Sequence, residues 1–163
     1  MKILLLMRHA KAAAAGAGQA DADRPLNPRG QRDAPRMGEW LRQHDVAPEL
    51  VISSNARRAV ETAAAVIDAS GFGGEWQRQP SLYEAEIEAY FDVLQQAPDA
   101  VGSVLIVAHN PGVEEMIEAL TGHAETMPTG ALAHITLPID DWRGLEAGVE
   151  GQLVQVGRPR EVE

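Results

Sequence analysis

The sequence of 163 residues contains no cysteine, which excludes disulfide frameworks, thiolate metal sites and cysteine nucleophiles. It also has no long apolar run, because the apolar residues 3–7 end at Arg8 and are too few for a membrane span or a signal peptide. The length suits one domain with its own core. We therefore expect a soluble cytoplasmic protein with one domain over residues 1–163, whose residues 157–163 fray.

Basic side chains are in the minority, with 14 Lys and Arg against 24 Asp and Glu, and the formal net charge is −10. This balance argues against nucleic acid or an anionic membrane as a general partner. It does not exclude a local anion site. Four arginines, Arg8, Arg24, Arg57 and Arg58, lie within the first 58 residues and could make one pocket positive.

Strand and helix patterns alternate along the chain. Residues 3–7 and 104–108 are continuously apolar, as in strands buried on both faces of a parallel sheet, and residues 50–53 are similar. Helices are predicted after Asn27, at residues 57–69, and from Pro111 to Gly122. Residues 131–137 and 152–156 alternate like closing strands. This order predicts an α/β three-layer sandwich with a mostly parallel central sheet flanked by helices.

Two of the predicted strands end in histidine. Arg8 and His9 follow the first apolar run, and His109, Asn110 and Pro111 follow the run at residues 104–108. The carboxyl ends of parallel strands form the edge where open α/β sheets bind ligands. Arg58 falls in the first turn of a predicted helix, and its guanidinium suits phosphate oxygens. For Arg57 we favour a solvated surface charge.

These residues resemble the histidine phosphatase superfamily, also called phosphoglycerate mutase-like, and within it the short SixA-type protein phosphohistidine phosphatases. The matching motifs are Leu-Met-Arg-His-Ala at 6–10, Asp-x-x-Arg-Pro-Leu at 21–26, Ser-x-x-x-Arg-Ala-x-x-Thr at 54–62, Leu-Tyr-Glu-Ala at 82–85 and Val-Ala-His-Asn-Pro at 107–111. The sequence departs from the family at Ala10, where glycine is familiar, and at Asn55, where proline is common.

The resemblance implies a role for each residue at the strand ends. His9 is the implied nucleophile, while Arg8, Arg58 and His109 complete the catalytic set and clamp the phosphate. Asn110 and Arg24 are further expected phosphate ligands, with Asp21 orienting Arg24. No cofactor is expected. A metal is not expected either, because His9 and His109 lack neighbouring ligands at metal spacing and the arginines would oppose a cation.

Three functions remain open. The leading hypothesis is a metal-independent phosphatase that hydrolyses phosphohistidine on a phosphotransfer or phosphocarrier protein. A phosphohistidine can leave as neutral imidazole, whereas a phosphate ester needs a general acid. The alternative is therefore a phosphomonoesterase for a small metabolite or nucleotide, with Glu84 or Glu86 as the acid. The third is a non-catalytic phosphate-binding regulatory module. The role of the Ala/Gly-rich residues 12–20 is not evident from the sequence.

Overall fold

The computed structural model describes residues 1–162, which contain six strands and four α-helices. The strands are β1 (Lys2–Arg8), β2 (Leu50–Ser53), β3 (Glu75–Arg78), β4 (Ser103–Ala108), β5 (Leu132–Leu137) and β6 (Gln152–Gly157). The helices are α1 (Pro28–Gln43), α2 (Arg57–Ser70), α3 (Ile87–Gln95) and α4 (Gly112–Thr121). Among these residues, no helix is both long and apolar enough to cross a membrane.

The strands form one sheet in the order β3-β2-β4-β1-β5-β6. The first four strands are parallel, with β3 paired to β2, β2 to β4 and β4 to β1. β5 is antiparallel to both of its neighbours, β1 and β6. β1 lies beside β4 with Arg8 opposite Ala108. The residues that follow these two positions, His9 and His109, therefore leave the sheet side by side at its carboxyl edge.

Successive residues of β1 are buried on opposite faces of the sheet. Leu5 and Met7 pack with residues of α1 and α2, whereas Leu4 and Leu6 pack with residues of α3 and α4. A strand covered on both faces must be apolar at every position, which explains the unbroken run at residues 3–7. The predicted α/β three-layer sandwich with a mostly parallel sheet is confirmed.

The helix boundaries follow the predicted local signals. The Asn27 side chain accepts a hydrogen bond from the Gly30 backbone N–H, which caps the start of α1. Gly122 adopts a left-handed conformation with φ of 74° and ends α4. Gly30 also permits close packing, because a Cβ there would lie 2.1 Å from the Lys11 carbonyl oxygen.

Residues 157–163 were expected to fray, but part of this segment forms regular structure. Residues Pro159–Glu161 form a 3-10 helix that contacts α1, and Pro159 is buried. Burial of the proline ring orders this segment despite its charged composition. Glu163 lies outside the described residues.

Candidate active site

The carboxyl edge of the sheet bears a cavity of about 230 Å³, called here the strand-end pocket. It is bordered by the loop after β1, the first turn of α2, and the residues that follow β4. Its lining includes all six residues expected to be catalytic or to bind phosphate: Arg8, His9, Arg24, Arg58, His109 and Asn110. Lys11, Ala12 and Thr129 complete the lining.

His9 is buried and its ring has a defined tautomer. Its Nδ1 lies 2.7 Å from the carbonyl oxygen of Ala10, so Nδ1 carries a hydrogen and donates it. Burial first, and then the nearby His109, Arg58 and Arg8, together lower the pKa of His9 to about 3, although the bond to Ala10 opposes the shift. At neutral pH the ring is therefore uncharged, and Nε2 holds a free lone pair.

The loop that orients His9 is held by Thr62 of α2. The Ala10 backbone N–H donates to Thr62 Oγ1 at 3.0 Å, and the Thr62 hydroxyl donates to the Arg58 carbonyl at 2.7 Å. Thr62 and Arg58 are four residues apart and so share one helical face. One helix therefore presents Arg58 to the pocket and holds the backbone N–H of Ala10, the residue whose carbonyl sets the tautomer of His9.

His109 faces His9 across the pocket, with the two ring centroids 5.1 Å apart. Burial lowers the pKa of His109 to about 4, and Arg58 contributes in the same direction. Two adjacent imidazoles can share this site because both are neutral, whereas two imidazolium ions would repel each other.

Ser54 determines which nitrogen of His109 carries the proton. Ser54 is fully buried, and its Oγ accepts from the Ala56 backbone N–H at 3.1 Å and lies 2.8 Å from His109 Nε2. Within residues 1–162, His109 Nε2 is the only recorded acceptor for the Ser54 hydroxyl hydrogen. Nε2 therefore accepts, and Nδ1 keeps the hydrogen as a donor for an anion in the pocket.

Arg58 is held by Asp21 through two groups at once. Its Nη1 donates to the Asp21 carbonyl oxygen at 2.9 Å, and its Nη2 donates to Asp21 Oδ2 at 3.0 Å. The same carboxylate accepts from Arg24 Nη1 at 2.9 Å and from the Tyr83 hydroxyl. The bond from Tyr83 and the two arginines hold the pKa of Asp21 well below its usual range. Asp21 thus orients both Arg24 and Arg58.

Arg8 and Asn110 converge on one carbonyl at the back of the pocket. Arg8 Nη1 donates to the Met127 carbonyl at 3.1 Å, while the buried Arg8 Nε–H has no acceptor within residues 1–162. Asn110 Nδ2 donates to the Met127 carbonyl and to Glu114 Oε2. Both amide hydrogens are therefore used within the protein, and the phosphate contact predicted for the Asn110 side chain would have to compete with these two bonds. Arg8 retains its Nε–H as a donor.

Glu84 and Glu86 lie outside the strand-end pocket. They line a neighbouring cavity of about 580 Å³ that shares His109 and Asn110 with it. Both side chains are exposed, and Glu84 has a φ of 53° at the turn that follows Tyr83. The structure thus places them beside the pocket rather than within it.

The structure adds three residues to those predicted for the site: Ser54, Thr62 and Tyr83. The Tyr83 ring packs edge-on against His109, with centroids 5.6 Å apart, and lies 5.9 Å from the Arg58 guanidinium carbon. All three belong to motifs that carry the family resemblance, and that membership was the available signal. Their contacts span up to 62 positions in sequence, so no local pattern reveals them.

Comparison with known proteins connects this geometry to a family. Residues 4–103 match the model of the histidine phosphatase superfamily (branch 1). An uncharacterised protein of Mycobacterium leprae is 38% identical over 103 residues, which are 63% of this chain and 62% of that protein. Phosphohistidine phosphatase SixA of Escherichia coli is 31% identical over 141 residues, covering 82% of this chain and 84% of that protein.

Solved structures show the same similarity over nearly the whole chain. A SixA-type protein from Nakamurella multipartitia has a TM-score of 0.86 and 28% identity, covering 97% of this chain and 96% of that one. The protein histidine phosphatase SixA complexed with tungstate has a TM-score of 0.83 and 28% identity, with 98% of each chain covered. The chain belongs to the histidine phosphatase superfamily. Within it, the SixA-type similarity identifies a phosphatase of the hydrolase class.

We predict that Ser54→Ala lowers kcat about tenfold, which is the effect of losing one buried hydrogen bond of about 1.4 kcal/mol. Without the Ser54 hydroxyl, His109 Nε2 loses the donor that holds the proton on Nδ1. The measurement is steady-state release of phosphate from phosphoramidate. Ser53→Ala is the matched control, because Ser53 is equally buried but accepts from Trp76 Nε1 instead. Equal losses in both variants would refute the role of Ser54.

Proposed function

We propose that the protein hydrolyses phosphohistidine on a protein, without a metal, through a covalent intermediate on His9. The observation that carries the proposal is the state of the His9 ring. Nδ1 is bound to the Ala10 carbonyl and the ring is uncharged, so Nε2 is available as a nucleophile at neutral pH. Donors from Arg8, Arg58 and His109 border the same pocket.

The reaction proceeds in two displacements at phosphorus. In the first, His9 Nε2 forms a bond to phosphorus while the bond from phosphorus to the substrate nitrogen breaks. The leaving imidazole already carries a hydrogen on its remote nitrogen and departs neutral, so no acid is needed. In the second, water attacks phosphorus, its proton passes to the phosphate oxygens, and the bond to Nε2 breaks. The products are inorganic phosphate and free His9.

Arg8 and Arg58 supply the positive charge that this transfer requires. Phosphoryl transfer depends mainly on positioning and on donors that hold the equatorial oxygens as charge redistributes. Two guanidiniums and the Nδ1–H of His109 provide such donors around His9. The related SixA structure is complexed with tungstate, a tetrahedral oxyanion like phosphate, and this supports the binding of such an oxyanion by a protein of this fold.

A phosphomonoesterase is the second candidate, and the cavity beside His109 favours it. Glu84 and Glu86 line that cavity, and a carboxylic acid there could protonate an alkoxide leaving group. Both side chains are exposed, and neither is part of the strand-end pocket. Among residues 1–162, no side-chain hydrogen bond or ion pair fixes either carboxyl group in the way that Asp21 holds Arg58, so we rank this function second.

Glu84→Gln and Glu86→Gln are expected to leave the hydrolysis of phosphohistidine within about twofold of the wild-type rate, because neutral imidazole departs without an acid. The measurement is kcat/KM for free phosphohistidine and for phenyl and alkyl phosphates, in the wild type and both variants. Phosphohistidine should be the better substrate. A loss of turnover of 100-fold or so in either variant, with alkyl phosphates preferred, would instead establish the phosphomonoesterase, given the usual size of general acid catalysis.

A further inference from the structure

Besides the cavity lined by Glu84 and Glu86, another cavity adjoins the strand-end pocket. It has a volume of about 390 Å³ and shares Arg8, Lys11 and Thr129 with that pocket. Arg29, at the start of α1, and Arg158 and Arg160, near the end of the chain, also line it. The 3-10 helix at Pro159–Glu161 places the last two beside the loop after β1. Of the cationic side chains of this cavity, only Arg8 belongs to the proposed reaction.

The cationic lining continues along α1. A smaller cavity of about 260 Å³ shares Arg29 and Arg160 with the 390 Å³ cavity and adds Arg32 and Arg36. Arg29, Arg32 and Arg36 are spaced by three and four residues, which places them on one helical face about 10 Å long. We call the lining of these two cavities the cationic surface. Its seven basic residues are half of the chain's 14, and the cavities contain two carboxylates, Asp33 and Glu161.

Three of these cations have no carboxylate partner among residues 1–162. Arg29 and Arg36 lie 3.5 and 3.7 Å from the buried Asp33 carboxylate, and Arg158 lies 3.1 Å from Glu125. Among residues 1–162, no carboxylate lies within 4 Å of Lys11, Arg32 or Arg160, all of which are exposed. A chain of net charge −10 thus presents unpaired positive charge beside its reactive histidine.

The side of the strand-end pocket formed by His109 and Asn110 has negative charge instead. The cavity beyond His109 is lined by four glutamates, Glu84, Glu86, Glu88 and Glu115, and by no lysine or arginine. A ligand that carries anionic groups besides its phosphoryl group is repelled on that side and attracted on the other. The two sides together define one orientation for such a ligand.

From these charges we infer that the cationic surface is the docking surface for acidic side chains of the phosphorylated protein substrate, next to its phosphohistidine. The inference rests on the proposed function and adds the partner's charge. The positive charge of the cationic surface favours an acidic ligand, and the length of this surface favours a protein as that ligand. A face that extends along two turns of α1, beyond the 390 Å³ cavity, exceeds what one further phosphate of a small molecule would occupy.

The experiment compares three phosphohistidine probes: the free amino acid, a peptide flanked by glutamates, and the same peptide with glutamines. The wild type should show a kcat/KM on the order of tenfold higher for the glutamate peptide, falling as salt is raised, because exposed charges are screened. In the double variant Arg32→Gln with Arg160→Gln, this preference should disappear while turnover of free phosphohistidine is unchanged. Removing these two arginines leaves no recorded ion partner unpaired.

The matched control is Arg42→Gln with Arg143→Gln, which changes the net charge equally but lies outside the strand-end pocket and both cavities of the cationic surface. It should keep the preference for the glutamate peptide. Equal hydrolysis of both peptides by the wild type would overturn this inference and leave the proposed function intact. The inference would also be overturned if the wild type showed no preference for the glutamate peptide but hydrolysed a compact bisphosphate faster than the corresponding monophosphate. If none of the phosphohistidine probes is hydrolysed, the proposed function fails, and the inference fails with it.

Discussion

Replacing His9 with asparagine is expected to lower kcat by a factor on the order of 10⁴ or more, because the proposed covalent step would lose its nucleophile. His9 is the residue whose free nitrogen is fixed by the structure: Nδ1 donates to the Ala10 carbonyl, and burial keeps the ring uncharged. The neighbouring His109 cannot substitute, because its Nε2 accepts from Ser54 and its Nδ1 holds a hydrogen. The measurement is phosphate release from phosphoramidate.

The same experiment tests the intermediate. Wild-type protein quenched during turnover of radiolabelled phosphoramidate should hold a label that is lost in acid and kept in alkali, and His9→Asn should hold none. His134→Asn is the control, since His134 is a buried histidine on β5 outside the strand-end pocket. A wild type that binds phosphate without ever acquiring the label would indicate the non-catalytic module. Normal turnover by His9→Asn would exclude the mechanism.

The sheet could be predicted from the sequence where burial on both faces forces a strand to be apolar throughout. β1, β2 and β4 satisfy this condition, and their residues are buried almost without exception. β3 does not, because it is a four-residue edge strand whose two ends are exposed. An edge strand exposes one side to solvent and needs no apolar run, so Glu75–Arg78 carries no periodic signal.

The site was predictable to the extent that topology brings strand ends together. Parallel strands end at one edge of a sheet, and this places His9 beside His109 once both strands are recognised. The supporting contacts are different. The hydrogen bonds of Asp21 join it to Arg58, 37 positions away in the sequence, and to Tyr83, 62 positions away. Packing sets the paths of the loops that bring these residues together. The sequence alone could not show that Asp21 holds both arginines.

Asn110 shows what a motif leaves open. It follows the end of β4 within a recognised motif, and an amide beside the strand-end pocket is a reasonable candidate donor to phosphate. In the structure both hydrogens of Nδ2 are used, one by Glu114 Oε2 and one by the Met127 carbonyl. Those partners lie on α4 and on the loop before β5, so the competition for the amide depends on tertiary contacts. Position in a motif predicts proximity to the site, and hydrogen-bond partners decide what the side chain does there.

Replacing Arg58 with lysine is expected to lower kcat by about 10²-fold, which is the usual cost of losing a donor to the transition state. The charge is retained, so the loss measures geometry. Arg58 uses Nη1 and Nη2 to bind two oxygens of Asp21 and still has further N–H groups for phosphate. A lysine side chain has a single nitrogen. It cannot donate to both oxygens of Asp21 and to an equatorial phosphoryl oxygen in fixed directions.

The neighbouring residue provides the control for this substitution. Arg57 precedes Arg58 on α2, is exposed, pairs with Glu61 at 2.9 Å and lines no part of the strand-end pocket. Arg57→Lys should therefore keep the wild-type kcat. If Arg58→Lys raises KM alone, Arg58 binds the ground state and the transition state equally, and the proposed clamp is wrong. A fall in kcat at similar KM would show that the fork held by Asp21 acts on the phosphoryl group during transfer.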